Sequence, residues 1–293
     1  ADVVGHGTHV AGTAAAIGSN GRGGSGMAPR ADVLPVKVLD DSGTGEYSWV
    51  AAGIVWAADQ GARVLNLSLG GPVPSAALRD ALAYATSRGA LVACAAGNDG
   101  TDRVSYPNTY PGCIGVAATR KDGETGTSWT NWGVNADVGI GGESIMSTCT
   151  GGRYCQMSGT SMAAPALAGV LALALQGGVA PQSALDLINR TGVPLTGRLA
   201  GLRRPDVAAL AAVIRSAPSA TPLPSATVTR VPPTATLRPA TSTPTAGGPP
   251  APTVFPGPTH FPPSALPWPC AVVGVEAGAV TIRCPYQAPP ATP

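Results

Sequence analysis

Through the first 216 residues, short apolar runs of strand length alternate with longer stretches of helical spacing. Residues 33–39, 64–67 and 91–95 are the apolar runs, and residues 48–59 and 75–88 the helical stretches, with Gly61 and Gly89 just past their ends. A glycine in that position ends a helix at little steric cost. Apolar strands joined by helices specify a parallel sheet covered on both faces. The pattern continues with a strand over 114–118 and helices over 161–175, 181–190 and 206–215. The expected fold class is α/β, a doubly wound parallel sheet.

Composition changes abruptly after residue 216. Residues 217–267 hold 15 prolines among 51 residues, no acidic residue, and only Arg230 and Arg238 as fixed charges. Such a segment cannot bury a core and is expected to be a disordered, extended linker. The chain therefore divides into a domain over 1–216, a Pro/Thr/Ala-rich linker over 217–267 and a small hairpin-like β remnant over 268–293. A net charge of +2, with 16 of the 18 basic residues scattered arginines, gives no reason to expect nucleic acid as partner. The longest apolar run, residues 162–175, is 14 long and contains Pro165 and Gly169, short of the roughly 20 residues a membrane span needs. Six cysteines suit an oxidising compartment. Cys149 and Cys155 flank residues 150–154, a hairpin tip that brings them face to face, and Cys270 and Cys284 flank two strand-like runs. Cys94 and Cys113 are expected to stay unpaired, because one falls late in its strand and the other at the start of the next.

Three segments carry chemistry. His6 and His9 lie in Gly5-His6-Gly7-Thr8-His9-Val10-Ala11-Gly12-Thr13, whose small residues let a helix pack closely while presenting an imidazole at its start. Zinc is disfavoured: there is no HExxH and no third ligand cluster. Asn98 follows the 91–95 strand at the end where open α/β sheets place their sites, and its amide can donate to an oxyanion. Ser161 opens the long apolar helix, with Pro165 expected inside the first turn, where its missing N–H costs nothing. At a helix start, backbone N–H groups favour developing negative charge. Each segment also has an ordinary explanation: a core histidine, a turn asparagine, an N-cap serine.

Their order along the chain removes the ambiguity. Histidine before serine excludes the α/β-hydrolase arrangement, and Ser161 lacks the trailing glycine of a G-x-S-x-G elbow. The βα pattern excludes the all-β chymotrypsin fold. From Ala1 to about Arg215 the sequence resembles the subtilisin-like serine proteases, the subtilases. Further landmarks agree: Val36-Lys37-Val38-Leu39, Gly43-Thr44-Gly45-Glu46-Tyr47, Asn66-Leu67-Ser68-Leu69-Gly70-Gly71, Tyr106-Pro107 and Tyr110-Pro111.

The resemblance implies a secreted, monomeric serine endopeptidase that hydrolyses peptide bonds through an acyl-enzyme. Ser161 would be the nucleophile, His6 the general base and Asn98 a side-chain oxyanion donor. Gly43, Thr44 and Gly45 on one side, and Ser68, Leu69 and Gly70 on the other, would flank an extended peptide or protein substrate, with Gly97 beside them. His9, Asp2 and Asp137 match positions taken as structural. No catalytic cofactor is implied; structural calcium is a family expectation, and the 18–26 loop offers Asn20 but no carboxylate. In subtilases the catalytic aspartate lies upstream of the histidine, at the end of a central strand. No match to it occurs in this sequence, so the chain as given is expected to be inactive and to leave an apolar flank beside residues 33–39 unpaired. The alternative is a catalytically degenerate subtilase acting as a secreted binding module.

Overall fold

Fourteen of the 17 residues of one helix, Thr160–Gln176, are buried, and the layering of the fold follows from that. A helix that is apolar all round needs cover on every side. The computed structural model describes residues 2–216 and the backbones of two later strands, 271–273 and 279–283. The linker and Cys270 and Cys284 lie outside the described residues.

Chain order runs α1 (His6–Ala15), β1 (Asp32–Leu34), α2 (Tyr47–Asp59), β2 (Val64–Leu67), α3 (Ala76–Ser87), β3 (Leu91–Ala95), β4 (Cys113–Thr119) and β5 (Val138–Gly141). There follow β6 (Ile145–Cys149), β7 (Arg153–Met157), the buried helix α4, α5 (Pro181–Thr191), the short strands β8 (Val193–Pro194) and β9 (Arg203–Arg204), and α6 (Val207–Ser216). Strands β2, β3, β4 and β5 lie side by side and parallel, with Leu65 opposite Val92 and Ala95 opposite Val116.

Successive residues of these strands point to opposite faces, which builds two cores. Val64 and Ala93 join α4, α1 (through Val10 and Ala14), α5 and Leu210 of α6 on one face. Leu65 and Val92 join Val50, Ile54, Leu78 and Leu82 of α2 and α3 on the other. The result is the expected doubly wound α/β sheet. Helix α4 is covered by the sheet and by α1, α5 and α6. Gly169 is what lets α1 and its following loop come so close. A Cβ there would stand 2.5 Å from Cβ of Met27 and 3.2 Å from the Ala14 carbonyl.

Three expectations are corrected. The strand expected over 33–39 ends at Leu34 and is largely exposed, because Pro35 offers no N–H to the ladder and restricts the residue before it. Val38 and Leu39 are buried, but they pack against α2 rather than in the sheet. The flank beside β1 is not open: β11 (Ala279–Arg283) pairs antiparallel with β1 and β2, and β10 (Ala271–Val273) pairs with both β1 and β11. Finally, Cys94 and Cys113 form a disulfide, with a Cα–Cα distance of 5.8 Å. Cys113 lies opposite Val92, two residues from Cys94. An offset of two keeps both side chains on one face of the sheet, and the diagonal between them falls within disulfide range. The expected Cys149–Cys155 bridge is also present and closes the tip of the β6–β7 hairpin.

The Cys94–Cys113 bridge spans 19 residues of sequence, so it restricts a loop of the unfolded chain. Replacing both cysteines with alanine is expected to lower the unfolding free energy by about 3 kcal/mol. Urea denaturation of the double variant against the parent measures this.

Candidate active site

Helix α1 starts at His6 because Asp2 caps it. The Asp2 carboxylate accepts from the backbone N–H of Gly5 (2.7 Å) and Thr8 (2.7 Å) and from the Thr8 hydroxyl (2.6 Å). Partial burial pushes this carboxyl up, but the Thr8 and Gly5 bonds outweigh it and hold Asp2 below the ordinary carboxylate range. A side chain engaged in this way is a helix cap, and the three bonds give Asp2 the structural place expected of it.

The β6–β7 hairpin holds the same helix from the side. Thr148 Oγ1 donates to the Thr8 carbonyl and Ser147 Oγ to the His9 carbonyl, each at 2.8 Å. His9 Nε2 lies 2.9 Å from the Ile145 carbonyl and so donates to it. His9 is fully buried and serves this attachment. The Nδ1 atoms of His6 and His9 are both buried without a hydrogen-bond partner among the described residues, but only His9 is held through its other ring nitrogen. Burial depresses the His6 pKa, the neighbouring His9 depresses it further, and Asp2 only partly offsets them.

Ser161 sits in the first turn of α4, where its backbone N–H has no acceptor four residues back within the helix. Its hydroxyl donates to the Ser68 carbonyl at 3.3 Å, and no hydrogen bond joins it to His6. Asn98 is tied to the same turn. Its Oδ1 accepts from the Thr160 N–H (2.9 Å) and the Thr160 hydroxyl (3.0 Å). With the oxygen committed to two donors, the amide Nδ2 is turned away from Thr160. It is a free donor on the wall of a cleft that Ser161 also lines.

That cleft has a volume of about 830 Å³. Of the expected residues Leu69, Gly70 and Gly97 line it, together with Ala95, Val104 and Ser105. Ser68 lies beneath the cleft at 3% exposure rather than on its surface. Gly43, Thr44 and Gly45 do not line it. They belong to a turn before α2 in which Asp40 accepts from Ser42 and Thr44. Gly97 has a φ of 106°, and a Cβ there would stand 2.3 Å from Nδ2 of Asn131, so the backbone at the cleft wall requires glycine.

Asn131 was not singled out from the sequence. Fully buried, it accepts from the N–H groups of Asp99 and Thr101 and donates to the Ala96 carbonyl, fixing the loop that carries Asn98. Asn135 and Asn108 brace the opposite wall through Ser105. Spacing gives no sign of these roles. Asn66 is the exception: it is the one polar residue in the apolar run Val64–Leu67, a signal that was legible.

Among the described residues no three His, Cys, Asp or Glu side chains cluster, and the Asn20 carbonyl oxygen already accepts from the Arg22 N–H.

The parallel α/β sheet brings a serine at a helix start and an asparagine to one cleft, with a histidine on a packed neighbouring helix. The sequence pattern of the subtilase family matches residues 1–193, and the chain belongs to that family. It is 43% identical to thermitase of Thermoactinomyces vulgaris over 193 residues, 66% of this chain and 69% of that one. It is 46% identical to subtilisin Savinase of Lederbergia lenta over 172 residues, 59% of this chain. It spans 63% of Savinase and only 45% of subtilisin E of Bacillus subtilis. Among solved structures, a protease of Pseudoalteromonas arctica superposes with a TM-score of 0.67 at 34% identity, over 71% of this chain and 70% of that one.

His6, half-buried, and His9, fully buried, are both held below their ordinary pKa of 6.5, chiefly by desolvation. The unfolded chain therefore binds more protons than the folded one as pH falls through 6.5. Stability is expected to decline from pH 7 downward over that window, until the depressed folded-state values are passed. NMR titration is expected to give imidazole midpoints below 6.5 for His6 and His9. A His6 midpoint at or above 6.5 would mean that a carboxylate already pairs with it.

Proposed function

We propose that this chain carries the nucleophile, base and oxyanion donor of a secreted serine endopeptidase. In this reading Ser161 attacks the scissile carbonyl. His6 takes the hydroxyl proton and returns it to the leaving amine, and Asn98 Nδ2 with the Ser161 N–H holds the oxyanion. The observation that carries it is the Asn98 side chain, held through its oxygen by Thr160, in the same cleft as Ser161. The coverage of thermitase and the subtilisins supports peptide and protein substrates. The two disulfides support an oxidising compartment. No single described helix is long and apolar enough to cross a membrane. We take the protein to act as a monomer, its substrate flanked by residues 43–45 and 68–70.

The Nδ1 of His6, buried and without a partner among the described residues, is consistent with a place for the third member of the triad. A carboxylate there would orient the ring and stabilise the imidazolium that forms during attack. By the family's order it comes from a segment preceding residue 1. Without it, kcat is expected to be about 10⁴-fold lower. One observation favours the alternative, a catalytically degenerate binding module: the Ser161 hydroxyl is engaged with Ser68 and not with His6.

A fluorophosphonate probe separates the two readings. On the peptidase reading it labels Ser161 in the chain joined to its preceding segment, and Ser161→Ala abolishes the label. Asn98→Ala is expected to lower kcat about 10²–10³-fold with little change in KM, the loss that follows removal of one oxyanion donor in a related protease. A chain so extended that still fails to label at Ser161 supports the binding module.

A further inference from the structure

Helix α4 begins at Thr160, so Pro165 is its sixth residue and not part of its first turn. This corrects the expectation that its missing N–H would go unnoticed. In an α-helix the carbonyl of residue i accepts from the N–H of residue i+4. The donor owed to the Ser161 carbonyl would come from position 165, and proline has none to give. Its ring also presses on the carbonyl four residues back. The proline thus strips the nucleophile's own peptide group of its regular partner.

Another group takes that place. Ser68 Oγ donates to the Ser161 carbonyl at 2.8 Å, across 93 residues of sequence. Asn66 Nδ2 in turn lies 2.8 Å from Ser68 Oγ. A serine hydroxyl has a single proton, and here it goes to Ser161. Asn66 must therefore present its NH₂ and not its oxygen, which fixes the amide orientation by elimination. Asn66 and Ser68 are 0% and 3% exposed, so water does not compete for either bond. Asn66 Oδ1 has no partner among the described residues, so the amide is engaged through its donor side alone.

We infer that Asn66 and Ser68 are positioning residues for the nucleophile. They replace the helical hydrogen bond that Pro165 removes, and so fix the carbonyl of Ser161, joined through Cα to the side chain and the oxyanion-holding N–H of the same residue. The inference rests on the peptidase reading for its consequence but not for its geometry. Bond and consequence are therefore tested separately.

Ser161–Met162 is the only Ser–Met step in the chain. Labelling serine carbonyls with ¹³C and methionine amides with ¹⁵N therefore gives one correlated NMR peak, reporting the Ser161 carbonyl alone. In Ser68→Ala this peak is expected to move upfield as the bond is lost. Asn66→Asp is nearly isosteric but can only accept when ionised, so it draws the Ser68 proton away and shifts the peak the same way. In the same variants, with the chain joined to its preceding segment, fluorophosphonate labelling of Ser161 is expected to slow about tenfold. Adding Pro165→Ala to Ser68→Ala restores an N–H four residues on. It should return the peak downfield and recover most of the labelling rate. A general loss of packing would not be rescued this way. A peak that stays put in Ser68→Ala, or a double variant no better than the single one, overturns the inference. Labelling at one rate in all the chains overturns the positioning role alone. A parent that never labels overturns the peptidase reading and the positioning role with it.

Discussion

The first turn of α4 is where the whole cleft is indexed. Thr160 reaches 62 residues back to hold Asn98, and Ser68 reaches 93 residues forward to hold the Ser161 carbonyl. These bonds work because α4 itself cannot shift: sheet, α1, α5 and α6 enclose it, and 14 of its residues are out of water. Interiors packed to crystal-like density do not deform continuously. A polar network anchored to such a helix inherits its rigidity. Loops at the ends of β2 and β3 become precise because they are bonded to something that is.

The environment of His6 follows from the same close packing. Bringing α1 against α4 and the hairpin shields much of the imidazole from water, which disfavours its charged form. Burial alone makes His6 a weak base. On the peptidase reading, a carboxylate at Nδ1 would supply the electrostatics as well as the orientation.

Much of this was legible in the sequence. β2 and β3 fall where the apolar runs ended, and α2 and α3 stop at the glycines that marked them. Ser161 and Asn98 were found from their place at a helix start and a strand end, and the cleft brings them together. What escaped depended on partners distant in sequence. The roles of Asn131, Asn135 and Asn108 exist only once separate loops meet. Cys94 and Cys113 were judged by height along a strand, when parity and the diagonal decided the matter. Pro165 was misjudged by one helical turn, because the helix begins a residue before the nucleophile.

The hairpin of β6 and β7 has a further consequence. It grips α1 through Thr148, Ser147 and the Ile145 carbonyl, and its second strand leads through Ser158 directly into α4. The helices that carry His6 and Ser161 are thus both tied to one continuous stretch of chain, closed at its tip by Cys149–Cys155. Helices α2 and α3 stand on the opposite face of the sheet, in a separate core. Sequence drift on that face can reshape the ground on which a substrate lies while the distance between histidine and serine stays as it was. On the peptidase reading the two cores would part the labour, one holding the helices of His6 and Ser161 and the other α2 and α3.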